Sequence, residues 1–339
     1  MPQKQITRGK FDGINACADA KGVIAALAMD QRGSLEKAIT AGKGSPATAA
    51  EMSEFKRLVT DVLSPHASSV LLDVEYGLDA SKQRPAGIGL LLAYELSGYD
   101  SASRMPDLMP EWSVRQLKAA GAEAVKVVMQ YDPDDADSAS RKHVFVERVG
   151  AECVANDIAF FFEPVTYGKA IGDEKGVEYA KAKPEKVTKT MMEFSKPEYY
   201  IDILKVEVPV NMRFVAGSKG NTDSAYVYTR AEAAQAFRDA AAVSKLPFIY
   251  LSAGVTDEVF RESLELAGEA GTPFSGVLCG RATWQGGIMD FVRGGGAAFR
   301  AWLETQGVEN IKALNAILAK HARPWWDFYG GNSNIQVIG

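Results

Sequence analysis

Ile203-Leu204-Lys205-Val206-Glu207-Val208-Pro209-Val210 is an apolar, β-branched run interrupted by one lysine and one glutamate. Strand alternation puts Ile203, Lys205 and Glu207 on one face and Leu204, Val206 and Val208 on the other, so both faces carry apolar residues. A strand that is apolar on both sides fits a parallel sheet covered by helices better than an antiparallel sheet with one wet face. Seven more such runs flank it: Ala25 to Asp30, Ser68 to Asp73, Gly87 to Tyr94, Ala124 to Tyr131, Ala159 to Thr166, Pro247 to Ala253 and Gly276 to Arg281. Segments of helical periodicity separate most of them: Met52 to Leu63, Ser113 to Ala120, Arg141 to Ala155, Pro184 to Phe194, Glu232 to Ser244 and Asp257 to Ala270. Only a loop joins the second run to the third. Eight strands with intervening helices predict an α/β fold, a (β/α)₈ TIM barrel, over an open doubly wound sheet.

Local signals agree with this division. Thr229-Arg230-Ala231-Glu232 reads as a capping box, and Thr256 before Asp257-Glu258 as a second helix entry. No Pro/Gly/Ser-rich linker splits the 339 residues, which predicts one barrel domain over residues 1–339, with residues 1–20 as an N-terminal segment. Trp302 to His321 read as additional terminal helices, and residues 324–339 as a C-terminal tail. The adjacent Trp325 and Trp326 suit packing on the barrel, or a contact between copies in a homo-oligomer.

Composition narrows the function classes. A net charge of -5 speaks against a nucleic-acid surface, while leaving room for local basic pockets. Cys17, Cys153 and Cys279 are far apart and odd in number, which fits a reducing compartment. Met1 leads into a polar stretch without a leader-like or membrane-spanning apolar segment, so a cytoplasmic protein is expected. His66, His143 and His321 show no metal-ligand spacing, and neither a Rossmann fingerprint nor a phosphate-binding P-loop is present.

In a (β/α)₈ barrel the chemistry belongs at the C-terminal ends of the strands, and these ends are polar. The first run closes on Asp30-Gln31, the second on Asp73 and Glu75, the fourth carries Lys126, the fifth ends at Glu163 after three phenylalanines, and the sixth carries Lys205. A lysine withdrawn from water is pressed toward a neutral, nucleophilic amine that can form a Schiff base with a carbonyl. Desolvation likewise suits Glu163 to proton transfer. Bland readings compete at each position: a structural Lys205–Glu207 pair, Asp30 or Asp73 as caps, Lys126 as a salt-bridging or anion-binding residue, Glu163 as its counter-charge, or a magnesium on Asp30, Asp73 and Glu75. Ser252-Ala253-Gly254 after the seventh run and Gly280-Arg281 after the eighth supply small residues and a guanidinium where this architecture recurrently holds phosphate.

Longer blocks carry a resemblance. Ala28-Met29-Asp30-Gln31-Arg32-Gly33, Leu71-Leu72-Asp73-Val74-Glu75-Tyr76-Gly77-Leu78, Leu90-Leu91-Leu92-Ala93-Tyr94-Glu95, Leu204-Lys205-Val206-Glu207-Val208-Pro209-Val210-Asn211-Met212, Glu232-Ala233-Ala234-Gln235-Ala236-Phe237-Arg238-Asp239 and Gly276-Val277-Leu278-Cys279-Gly280-Arg281-Ala282-Thr283-Trp284 resemble the tagatose 1,6-bisphosphate aldolases, class I Schiff-base enzymes of lactose and galactose breakdown. The likeness covers roughly residues 20 to 320. It implies a barrel without metal or other cofactor, a phosphorylated ketose substrate, Lys205 as Schiff-base lysine and Glu163 as proton-transfer carboxylate. By the same motif matching, Asp30, Gln31 and Lys126 bind substrate polar groups, and Ser252, Gly254, Gly280 and Arg281 bind phosphate. Phe162-Glu163-Pro164-Val165 departs from the pattern of the nearest members and is similar to sulfofructose phosphate aldolases, and Met212 to Tyr226 is particular to this chain. Three further readings stand beside the tagatose one: a sulfofructose 1-phosphate aldolase, a pyridoxal phosphate enzyme, and a phosphosugar-binding regulatory protein.

Overall fold

The computed structural model describes residues 3–96, 98, 104–222 and 225–339. Asp223 and Ser224, within the chain-specific stretch Met212 to Tyr226, lie outside them. Among the described residues ten strands follow in chain order: β1 (Lys4–Thr7), β2 (Ile24–Met29), β3 (Ser69–Asp73), β4 (Gly89–Ala93), β5 (Ala124–Tyr131), β6 (Ala159–Thr166), β7 (Ile203–Glu207), β8 (Phe248–Leu251), β9 (Gly276–Cys279) and β10 (Ile335–Ile338). Strands β2 to β9 pair in sequence, all parallel, and β9 returns to β2 to close the barrel.

The two-faced pattern of the strands becomes two cores. Alternate residues such as Ala26, Leu71, Leu91, Ala124, Phe161, Ile203 and Ile249 pack inside the barrel. Their neighbours in sequence, Leu27, Leu72, Leu92, Val125, Phe162, Leu204 and Phe248, pack outward with the helices. Ala124, Ala159 and Ile203 share the inner parity with Lys126, Glu163 and Lys205, so the same alternation that builds an apolar interior at the bottom delivers charged side chains at the top.

The N-terminal end is sealed. Helix Arg8–Cys17 contributes Ile14 and Cys17 to the inner cluster, and fully buried Trp325 joins it while donating from Nε1 to Asn15 Oδ1 at 3.1 Å. The tryptophan pair therefore packs against the barrel floor. Beside it β1 and β10 form a separate two-stranded parallel sheet. Neither of those strands, nor helix Gly33–Lys43 after β2, was expected from the runs, because all three are short or weakly apolar.

The predicted helices are present with shifted ends, as Ala49–Leu63, Val114–Ala119, Ala136–Ala155, Val177–Phe194, Arg230–Val243 and Asp257–Glu269. Thr229 and Glu232 form the expected capping box, and Thr256 caps the helix after β8 through Val259 N. Among the described residues, no helix is long and apolar enough to cross a membrane.

Candidate active site

Strands β5, β6 and β7 bring Lys126, Glu163 and Lys205 together at the open end of the barrel. Lys205 Nζ lies 2.8 Å from Glu163 Oε2, and Lys126 Nζ lies 2.9 Å from the same oxygen. Asp30, one residue past β2, accepts from Lys126 at 2.7 Å, and Glu95, two residues past β4, accepts from it at 3.0 Å. Lys126 is thus enclosed by three carboxylates, and Glu163 bridges two ammonium groups.

Electrostatics separate these groups. Burial pulls the Lys126 ammonium toward neutrality, but Asp30, Glu163 and Glu95 outweigh it and hold the lysine well above its ordinary range. Burial likewise raises Asp30, yet Lys126 and Lys205 overcome it and keep the carboxyl below the usual carboxylate range. At Glu95 burial prevails over the attraction of Lys126 and Arg32, and the carboxyl is raised. Lys126 therefore stays a cation and Asp30 an anion across the neutral range.

A cavity of about 810 Å³ opens above this cluster. Gln31, Glu163, Lys205, Ser252, Gly254, Gly280 and Arg281 line it, whereas Asp30 and Lys126 stand behind that wall and meet it through Glu163. Gln31 Oε1 on the wall and Asp30 Oδ1 behind it are buried and, among the described residues, have no hydrogen-bond partner.

The far wall is the anion-binding candidate. The backbone leaves β8 with Ala253 at φ +50° and Gly254 at φ +78°, a left-handed pair that turns the chain toward the cavity before helix Asp257–Glu269 begins. A Cβ on Gly254 would stand 2.8 Å from the Arg281 guanidinium carbon, and one on Gly280 would stand 2.6 Å from the Ala28 carbonyl oxygen. The two glycines let Arg281, Ser252 and the loop backbone converge on one spot.

Two of the competing readings meet other partners in the structure. Glu207 shares the inner face with Lys205, but it accepts from Thr166 N and Thr166 Oγ1 and pairs with Lys183 at 3.1 Å. The candidate magnesium ligand Asp73 accepts from Lys56 and from the amides of Glu75 and Tyr76. Lys56, wholly buried, also donates to the carbonyls of Met29 and Gln31, on either side of Asp30. Among the described residues, no three His, Cys, Asp or Glu side chains are grouped to hold a metal ion.

Glu95, Arg32 and Lys56 were not singled out as site residues by the sequence reading. Arg32 donates to the Glu95 carbonyl at 2.7 Å and lies 3.6 Å from its carboxylate. Glu95 was visible as the lone charge closing an apolar run, the same signal that marked Asp30 and Glu163. Lys56 sits inside an amphipathic helix, where a lysine ordinarily faces water, so nothing flagged it.

Residues 24–286 match the model of the DeoC/LacD family aldolases. The chain is similar to the tagatose 1,6-diphosphate aldolase of Listeria monocytogenes (serotype 4b), 48% identical over 337 residues with 98% of each chain covered. It is also similar to the tagatose 1,6-diphosphate aldolase 2 of Enterococcus faecalis, 49% identical over 323 residues with 94% of this chain and 96% of that one covered. Among solved structures, the fructose-bisphosphate aldolase of Plasmodium falciparum superposes with a TM-score of 0.65 over 95% of this chain and 98% of that one at 14% identity, a likeness of fold.

Proposed function

This chain belongs to the DeoC/LacD aldolase family, and from that premise we propose that it cleaves tagatose 1,6-bisphosphate, and also fructose 1,6-bisphosphate, to dihydroxyacetone phosphate and glyceraldehyde 3-phosphate through a Schiff base on Lys205. The observation that carries the reading is Glu163 Oε2, which lies 2.8 Å from Lys205 Nζ on the wall of the open cavity. An amine attacks a carbonyl only as the free base, and Glu163 is in place to take its proton.

In this mechanism Lys205 adds to the C2 carbonyl, and the carbinolamine loses water to give an iminium ion. Glu163 removes the C4 hydroxyl proton as the C3–C4 bond breaks, and the bonding pair flows into the iminium. Glyceraldehyde 3-phosphate leaves; the enamine takes a proton at C3, and water returns the ketone and the free lysine. Ser252, Gly254, Gly280 and Arg281 hold one phosphate, fixing C2 beside Lys205. Gln31 on the cavity wall receives a sugar hydroxyl, and Asp30 behind that wall holds Lys126, which stabilises charge on Glu163. The reaction needs no metal or organic cofactor in this scheme. The reducing cytoplasm suits it, since Cys17, Cys153 and Cys279 are free and buried.

Borohydride added with dihydroxyacetone phosphate should trap a covalent adduct on the Lys205 peptide, read by mass spectrometry. An adduct on another residue, or turnover that stops with a chelator and leaves no adduct, would overturn the proposal.

A further inference from the structure

We propose that Glu95 is a positioning residue for this reaction: through Lys126, and balanced by Arg32, it sets the charge around Glu163 and so the pH range in which the proton transfers run. The inference rests on the Schiff-base reading of the same site. Glu95 does not line the cavity; it is 3% exposed and touches Lys126, not the space where substrate would lie.

The geometry leaves Glu95 little freedom. Its Oε1 accepts from Lys126 at 3.0 Å, its Oε2 accepts from Val128 N at 3.2 Å, and its own carbonyl accepts from Arg32 at 2.7 Å. Residue 95 also bridges to Leu108, which clamps its backbone. A carboxylate withdrawn this far from water costs free energy unless its partners are fixed, and Lys126, Val128 N and the backbone clamp fix this one.

Those neighbours form a balanced set. Asp30 after β2, Glu95 after β4 and Glu163 on β6 face Lys126 on β5, Lys205 on β7 and Arg32 beside β2, while Lys56 from helix Ala49–Leu63 acts on Asp30 from behind. Lys56 is itself paired with Asp73, so within the set three carboxylates oppose three cations, one of them Lys126. Neutralising Glu95 leaves an excess positive charge two contacts from Glu163 and three from Lys205. Positive charge favours the carboxylate over the acid and the amine over the ammonium, so both ionisations that bound activity move in one direction. The raised state of the Glu95 carboxyl agrees with a group whose charge is expensive to keep.

Glu95→Gln is nearly isosteric and retains an acceptor for Val128 N. Relative to the wild-type enzyme turning over tagatose 1,6-bisphosphate, both limbs of its pH profile should move acidward by about one unit. Its kcat at neutral pH should fall roughly tenfold, with KM nearly unchanged. The Arg32→Gln/Glu95→Gln double variant removes one charge of each sign, so its profile should return toward wild type. A fall in kcat without displacement of either limb, or equal displacement in single and double variants, would overturn the inference by reducing Glu95 to a packing role. Should the single variant not fold, an unshifted profile in the single variant Arg32→Gln, where the opposite displacement is expected, overturns it as well. Absence of wild-type turnover would instead count against the aldolase reading itself.

Discussion

Lys126 and Lys205 are both strand lysines, buried on the inner face of the two strands that flank β6, and both touch Glu163 Oε2. They differ in company. Lys126 is enclosed by Asp30, Glu95 and Glu163, whereas Lys205 has Glu163 as its carboxylate partner and faces the cavity. Burial alone therefore does not make a nucleophile. A lysine surrounded by anions is held as a cation, and on the proposed Schiff-base reading it is the lysine with one shared anion and an open side that meets the carbonyl.

The sharpest way to break this comparison is to remove each amine. Lys205→Ala should lower kcat by roughly 10⁴-fold or more and abolish the borohydride adduct. Lys126→Met should keep some adduct on Lys205, but it strands buried carboxylates and should cost about 3–5 kcal/mol of stability in urea unfolding. An adduct that migrates to Lys126 when Lys205 is replaced would mean that the two lysines are interchangeable.

The barrel itself was readable because its strands are apolar on both faces, and that pattern has few other solutions. Lys205 and Glu163 stood out for the same reason: each is a charge on the inner parity of such a strand. What lay hidden depended on long-range pairing. Lys56 could not be told from a solvated helix lysine until the fold carried it to Asp73 and the carbonyls beside Asp30. Glu207 misled in the other direction, since two positions along the strand makes it the nearest acid to Lys205 in sequence. Its carboxylate instead turns to Thr166 and Lys183. The strands β1 and β10 escaped notice because four residues of mixed exposure carry no periodicity to detect.

That misdirection gives the next test, at the level of the two glutamates. Glu163→Gln removes the carboxylate that, among the described residues, alone contacts both lysines, and kcat should drop on the order of 100-fold. Glu207→Gln should cost less than about tenfold in kcat while destabilising the fold by about 1–3 kcal/mol, because it weakens the Lys183 pair and the cap on Thr166. Steady-state kinetics beside thermal melts would separate the two. Equal kinetic losses would return Glu207 to the chemistry.

The mildest effect concerns how the anions around Lys126 titrate. Asp30 is held below the ordinary carboxylate range, so its contribution is fully present above the unfolded value of about 3.9 and is lost as pH falls toward its folded value. Glu95 is raised, so its sign is opposite: the folded state keeps the proton longer, and stability declines as pH rises from the unfolded value of about 4.3 through the folded one. Asp30→Asn should therefore be less stable than wild type by an amount, of order 2 kcal/mol, that is constant near neutrality and shrinks below about pH 4. Glu95→Gln should instead flatten the decline on the other side of that window. Urea midpoints taken from pH 7 down to pH 3 read both slopes. A gap for Asp30→Asn that persists unchanged to pH 3 would mean that Lys126 does not depend on Asp30 for its charge, and the contrast between the enclosed lysine and the open one would then rest on Glu95 and Glu163 alone.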